Sequence, residues 1–576
     1  MTILDTGGQY CHLIARKVRE LGVYAEVRPS ETPSNELSGS KGLIISGGPH
    51  SVYDPGSPWV DPAIFTSGSP VLGICYGQHL MAHLLGGAVR KSEKGEFGLA
   101  TLHVRHAGKL FAGLESSQQI WMSHRDSVEA LPPGFAATGT TATCAIAAIE
   151  EPALGLYGVQ FHPEVVHTTH GRRLLANFVF DICGCLKDWD PKHRGPVVED
   201  AIRAAVRDRN VFFFVSGGVD STVAYTFCRR ALGNDRVRGV YVDTGLMRAG
   251  ETEFVRRLFG DAVEIESAAE RFLAPLAGIT DPEAKRQIIG EQFVQVQERI
   301  VESHHLLDGH WILGQGTIYP DTIESGGTLK AALIKTHHNR VPGIQKLLEC
   351  GRVVEPLSSF YKDEVREIGR ELGLPDEFLD RHPFPGPGLA IRCLCSETEL
   401  PLIPADEGYV VPIRSVGVQG DSRSYAPVLA LDRYSPDLRN TATELVNRTA
   451  EINRVIARVD SRAPLADMRV RASGLTPERV DLLRQADAAV RAISHESGFD
   501  KKVWQFPVVL IPLGTEESPD SVVLRPIDSR DGMTAESVGM DDGILRRITS
   551  ELLAMKAICG VFYDLTHKPP ATIEWE

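Results

Sequence analysis

Twice in this chain a short apolar run stops at a glycine-bracketed turn that carries a reactive side chain. Pro70-Val-Leu-Gly-Ile-Cys75 runs into Tyr76-Gly77, and Val211-Phe-Phe-Phe-Val215 runs into Ser216-Gly-Gly-Val-Asp-Ser221. Such runs read as strands buried on both faces, which occur in parallel sheets covered by helices. The expected fold class is therefore multidomain α/β. A length of 576 residues leaves room for about three or four domains.

The pattern divides the chain into three regions. Residues 1–186 alternate short strands, such as Gly42-Leu-Ile-Ile-Ser46, with helices. Residues 187–196 are polar and Pro-containing and read as a linker. Residues 197–392 follow the grammar of a doubly wound parallel sheet: strand, glycine turn, helix, strand. Residues 393–576 read as α+β, with strands over 410–414, 508–512 and 521–525 and helices over 441–459 and 543–559.

Composition narrows the function. With 43% hydrophobic and 24% charged residues the chain is an ordinary globular protein. Its net charge of −14 is wrong for a protein that binds by neutralising phosphate backbones, so no nucleic-acid partner is expected. No stretch reads as a membrane span, because 71–89 holds Gln78, His79, His83 and several glycines. Met1-Thr-Ile-Leu-Asp5 lacks the basic and apolar regions of a secretory leader. Two C-x-C pairs, Cys183/Cys185 and Cys393/Cys395, lack zinc spacing and read as reduced thiols. A cytoplasmic enzyme is the expectation.

Gly73-Ile-Cys75-Tyr-Gly77 is a nucleophile elbow with cysteine in place of serine. A helix N-terminus behind the thiol favours thiolate; a buried structural cysteine is the bland alternative. Val159-Gln-Phe-His162-Pro-Glu164 supplies partners. In an extended segment His162 and Glu164 point the same way, so Glu164 can orient the ring and His162 can reach Cys75. Ser46-Gly47-Gly48-Pro49 ends a strand in two glycines. Their N–H groups, with that of Tyr76, can face a developing oxyanion. With Asp5-Thr-Gly-Gly-Gln-Tyr10 and Trp121-Met-Ser-His124, these motifs resemble class I (triad) glutamine amidotransferases. The resemblance implies glutamine hydrolysis through a thioester, ammonia delivered to a second domain, and a role for Gln78 in holding glutamine. Family members open with Asp-Phe-Gly-Ser-Gln-Tyr, and Thr6 and Gly8 depart from that.

Ser216, Gly217, Gly218, Val219, Asp220 and Ser221 form the second constellation. Successive N–H groups and a helix N-terminus make an anion nest, and no Walker lysine follows. Asp220 repels phosphate unless a cation intervenes, which points to Mg²⁺ held with ATP. The string resembles the N-type ATP pyrophosphatases, which transfer AMP to an acceptor oxygen. Val242 and Leu246 are placed to flank adenine, and Gly314, which opens Gly314-Gln-Gly-Thr-Ile-Tyr-Pro-Asp321, lies after another strand.

The acceptor is read from the remaining strings. Ile334-Lys-Thr-His-His-Asn339 reads as a lid, with Lys335 assigned to developing phosphate charge; a His-His metal pair lacks a third ligand of suitable spacing. Arg381-His-Pro-Phe-Pro-Gly-Pro-Gly-Leu389 is a rigid segment or a linker. The run 568–576 carries Ile573 and Trp575 and is expected to dock. Together with Val416-Gly-Val-Gln-Gly-Asp421-Ser-Arg-Ser-Tyr425 and Lys568-Pro-Pro-Ala-Thr-Ile-Glu574, these strings resemble the glutamine-hydrolysing GMP synthetase family. The resemblance implies XMP, ATP and glutamine as substrates, and XMP contacts at Arg286, Asp421, Gln505, Lys568 and Glu574. It also implies a homodimer in short members; the extended third region here resembles the longer, eukaryotic-like form with a duplicated subdomain. NAD synthetases and tRNA-modifying pyrophosphatases are the enzyme alternatives, and a nucleotide-sensing binding protein is the non-enzyme one.

Overall fold

The computed structural model describes residues 1–91, 96–324, 342–419, 422–448, 452–529, 535–568 and 570–576. The chain divides into two compact units, Met1–Arg194 and Gly195–Glu576. The second unit holds both regions that the sequence separates at 392/393.

Unit one is built on nine strands. In spatial order they are Glu26–Pro29, Thr2–Asp5, Leu43–Ile45, Val71–Ile74, Leu156–Val159, Ala148–Glu151, Ala136–Thr140, Glu96–Val104 and Ser117–His124. The first five are parallel and the rest antiparallel. Val71–Ile74 is wholly buried, as its unbroken apolar run requires. The helix Tyr76–Leu84 leaves its end at once.

The second unit carries a five-stranded parallel sheet. Its order is Val263–Ser267, Val237–Asp243, Asn210–Phe214, Trp311–Gly314, Val353–Val354. Chain order reverses between Asn210–Phe214 and Trp311–Gly314. That switch point, at the carboxyl ends, is where such sheets bind ligands.

A seven-stranded mixed sheet completes this unit. Ile403–Ala405 lies at one edge and Val508–Ile511 at the other. The six strands other than Ile403–Ala405 form two copies of one motif. Gly408–Gln419 and Ser422–Leu431 make an antiparallel pair. The helix Leu438–Arg448 follows, and Arg454–Ser461 returns parallel to the second strand. Val508–Ile511, Asp520–Leu524, the helix Asp542–Ala554 and Ile558–Asp564 repeat that order. The last strands of the two copies pair antiparallel at the centre.

Two helices expected from sequence end early. The 441–459 stretch is a helix only to Arg448, and Arg454–Ser461 is a strand. The 543–559 helix stops at Ala554, and Cys559 lies in Ile558–Asp564. In both, the last residues enter a central strand of the seven-stranded sheet, where packing overrides a helical reading.

Candidate functional site

Cys75 sits between strand and helix at φ 52°, ψ −106°. A non-glycine residue held there is strained, and such strain clusters at reactive positions. The glycines explain how the turn closes. A Cβ on Gly77 would lie 2.4 Å from the Ile45 carbonyl oxygen, and one on Gly73 would lie 2.6 Å from the Gly77 carbonyl. The Cys75 N–H donates to Val159 O at 2.7 Å, tying the nucleophile to the neighbouring strand end.

His162 and Glu164 come from the segment leaving that strand. His162 Nδ1 and Glu164 Oε1 are 2.7 Å apart, and both residues are buried. Burial alone would lower the imidazole's pKa. The Glu164 charge and contact with Cys75 outweigh burial and push it up to about 10. Thr168 Oγ1 and Trp121 O fix the His162 backbone at 2.6 and 3.1 Å.

The glycine pair abuts these groups. A Cβ on Gly47 would meet His162 Cε1 at 3.0 Å and Cys75 Cβ at 3.5 Å. The Gly47 carbonyl accepts from Thr6 Oγ1 at 2.8 Å. A Cβ on Gly8 would lie 1.9 Å from that carbonyl oxygen, and one on Gly48 would lie 2.6 Å from Thr6 O. The two departures from the usual opening string, Thr6 and Gly8, thus buttress the glycine loop. Tyr76 is the first helical residue, where backbone N–H groups lack intrahelical partners.

Gln78 lies on the inner face of the helix that follows Cys75. It is fully buried, and its Nε2 donates to Ile146 O at 3.3 Å beside Gly158. The neighbouring residue, His79, is joined to the nucleophile through Gln160. Sequence reasoning passed over Gln160, although its spacing from His162 and Glu164 places all three on one face of an extended run.

The second site lies at the carboxyl end of Asn210–Phe214. Gly217 takes φ +74°, and a Cβ there would meet the Tyr241 ring at 3.3 Å. Ser216 and Ser221 share a 2.8 Å hydroxyl contact, and the Gly218 N–H donates to Ser216 Oγ at 3.3 Å. The loop opens the helix Val219–Leu232, whose positive end favours anions. It borders a cavity of about 1130 Å³ that Val242 and Gly314 also line. A Cβ on Gly316 would lie 2.7 Å from the Ser221 nitrogen, so the second glycine loop packs directly on the first.

Leu246 does not reach the cavity. It is 1% exposed within the core and its carbonyl accepts from the Leu389 N–H at 2.7 Å, while Met247 lines the wall instead. Lys362, which sequence reasoning missed, donates to Asp220 Oδ2 at 3.2 Å. The other oxygen, Asp220 Oδ1, is buried without a hydrogen-bond partner among the described residues. An orphaned carboxylate oxygen beside an anion nest fits a hard cation such as Mg²⁺.

Arg286 and Glu574 are gathered in one charged cluster. Glu574 accepts a bidentate pair from Arg392 at 2.8 and 2.7 Å, and Arg286 donates to the Glu576 backbone. Burial would raise the Glu574 carboxyl, but Arg392 holds it below its ordinary value. Phe384 of the Pro-rich segment lines the cavity and lies under both Arg248 and Arg392, at 4.4 and 5.3 Å. Gln505 and Lys568 pair through their backbones with Ile527 and Ala535. Lys335 and Asp421 fall outside the described residues.

Comparison with known proteins adds the family. The glutamine amidotransferase class-I family profile matches residues 2–182, and the GMP synthase C terminal domain profile matches residues 492–575. A Leptospira interrogans protein named a probable glutamine-hydrolyzing GMP synthase is 42% identical over 602 aligned residues, spanning 100% of this chain and 99% of its own. The chain belongs to the glutamine-hydrolyzing GMP synthases. Family members from Parafrankia sp. and Thermobifida fusca are 40% and 39% identical, again over 100% of this chain and over 96% and 97% of theirs. Among the described residues, no helix of this GMP synthase family member is long and apolar enough to cross a membrane.

Proposed function

We propose that this chain converts XMP to GMP, releasing ammonia from glutamine at the Cys75 site and using it at the SGGVDS site. The observation that carries the reading is the 2.7 Å His162–Glu164 pair beside an elbow cysteine, in a chain that also holds a phosphate nest over a large cavity. Cys75 attacks the glutamine amide while N–H groups of the Gly47–Gly48 loop and Tyr76 face the oxyanion. His162, kept protonated by Glu164, gives its proton to departing ammonia. Water then hydrolyses the thioester to glutamate, with His162 as base.

In the second site the 216–221 loop holds the ATP phosphates and Lys362 adds a positive charge. Bound Mg²⁺ would neutralise phosphate charge, with Asp220 holding it. The C2 oxygen of XMP attacks the α-phosphate and pyrophosphate leaves. Ammonia then displaces AMP from the adenylated purine. XMP is assigned to Arg286, Asp421, Gln505, Lys568 and Glu574, and Lys335 to the transferring phosphate.

The test is AMP and GMP production from ATP, Mg²⁺ and XMP by wild type and Cys75→Ala, fed with glutamine or ammonium. Cys75→Ala is expected to lose glutamine-fed turnover and keep ammonium-fed turnover. Absence of GMP from either nitrogen source with wild type would refute the XMP assignment.

A further inference from the structure

We propose that Gln160 is a catalytic residue of the glutaminase half-reaction, donating an N–H to the Cys75 sulfur, and that His79 positions its amide to do so. The inference rests on the glutaminase reading above and extends it to two residues that the triad leaves unused.

Gln160 is fully buried. Its Nε2 lies 3.7 Å from Cys75 Sγ and its Oε1 lies 2.8 Å from His79 Nε2. The Gln160 N–H donates to Ala147 O at 2.9 Å, and the preceding residue, Val159, accepts from Cys75 N–H. Donor and nucleophile are thus fixed to one strand end.

A carboxamide has one accepting and one donating end. If His79 presents an N–H at Nε2, the Gln160 oxygen turns toward His79 and the NH₂ must face the sulfur. Burial pushes the His79 pKa down to about 4, so the ring is neutral at ordinary pH and carries a single N–H. With that single N–H at Nε2, the ring selects which end of the amide the nucleophile meets.

The far side of the sulfur makes that choice matter. Ser123 O lies 3.7 Å from Sγ and accepts from the thiol. Once the proton leaves, the carbonyl repels the anion. Cys75 is 4% exposed, so little water replaces the lost contact, and a buried charge without donors is costly. The Gln160 N–H then solvates the sulfur while His162 supplies the counter-charge. Titratable groups about this cluster are Glu164 and Tyr10 on His162, Cys144 near Cys75, His124 and Asp126 near His79, and Glu96 at 3.3 Å from His124.

The experiment uses the full chain and the variants Gln160→Glu, His79→Phe and His79→Gln. It measures kcat and KM for glutamine hydrolysis and the pH profile of Cys75 alkylation by iodoacetamide. Ammonium-fed GMP formation, which bypasses this site, reports the fold. Gln160→Glu keeps the shape but sets a carboxylate oxygen against sulfur or imidazole. It is expected to lower kcat about 100-fold, the loss typical of one missing donor at a developing charge, and to move the alkylation profile to higher pH. His79→Phe should shift both readouts the same way by less, and His79→Gln, which retains an N–H donor, should restore them. The inference is overturned by a Gln160→Glu enzyme with wild-type kcat and an unmoved alkylation profile. It is equally overturned if only KM rises, which would make Gln160 a substrate contact. If Gln160→Glu loses the ammonium-fed reaction as well, the His79 pair decides on the same readouts. A wild type that forms GMP from ammonium but hydrolyses no glutamine overturns the glutaminase reading, and this inference with it.

Discussion

At the scale of residues, the triad makes a pH prediction with a definite sign. His162 is held up to about 10 against an ordinary value near 6.5. The raised proton affinity stabilises the fold fully below the ordinary value, and the contribution is lost as pH rises through about 10. Glutamine hydrolysis needs the same proton for departing ammonia, so its alkaline limb belongs near 10. In Glu164→Gln the charge that holds the proton is gone. The limb is expected to move to lower pH, and kcat to fall by about 10⁴, as when a triad carboxylate is replaced. A pH–rate profile of both proteins checks this, and an unmoved limb would show that Glu164 does not hold the proton. His162 and Glu164 were legible from their spacing. The contacts of the Gln78 side chain were not, because side-chain direction on a buried helix depends on what packs against it, here Ile146 and Gly158.

Elements carry the next level of control, since each site is a strand that stops at a glycine turn. Gly77 leaves no room for a Cβ beside Ile45 O. Gly77→Ala is expected to destabilise the first unit by about 1–3 kcal/mol, the cost of overpacking a close contact, and to slow Cys75 alkylation. Thermal melting with mass-spectrometric alkylation reads both, and a variant that melts and reacts as wild type would show that the turn adapts. At the second loop, Asp220→Asn removes the charge that fits Mg²⁺. AMP formation should fall with either nitrogen source and need more Mg²⁺, which a metal titration measures. An unchanged titration would assign the metal to other residues. The strands before the two glycine turns were read to within a residue, because short apolar runs before glycines admit few alternatives, whereas the strand expected over 410–414 extends over Gly408–Gln419. The overlong helices show the opposite case: a helical start concealed the strand Arg454–Ser461, which its pairings with 422–431 and 558–564 define.

For the whole molecule, the doubled motif of the second unit bears on assembly. Its two copies pair through equivalent last strands, Arg454–Ser461 and Ile558–Asp564, the antiparallel contact that an isologous dimer would make between two chains. With that pairing satisfied inside one chain, light scattering is expected to find a 63.0 kDa monomer in place of the homodimer implied for short relatives. A mass twice as large would show association through another face. The same sheet clamps the last residues. Asp564 is buried against Arg454 at 2.9 Å and Arg525 at 2.7 Å, and accepts from Trp575 Nε1 at 3.1 Å. Asp564→Asn leaves two buried guanidinium groups without their carboxylate. A loss of about 3–5 kcal/mol is expected by denaturant unfolding, and a smaller loss would mean that the carbonyls of 572–574 satisfy the arginines alone.

The sequence by itself determined the two chemistries and their order along the chain. Cys75, His162, Glu164 and the 216–221 loop each sit in a short string whose local geometry is dictated by glycine, strand and helix start. The tertiary structure alone decided which groups meet across the chain: Gln160 with His79 and Cys75, Lys362 with Asp220, Arg392 with Glu574. It also turned Leu246 into the core and revealed the doubled sheet. Those outcomes depend on packing between segments distant in sequence, where the contact that wins is set by space and charge in the folded interior.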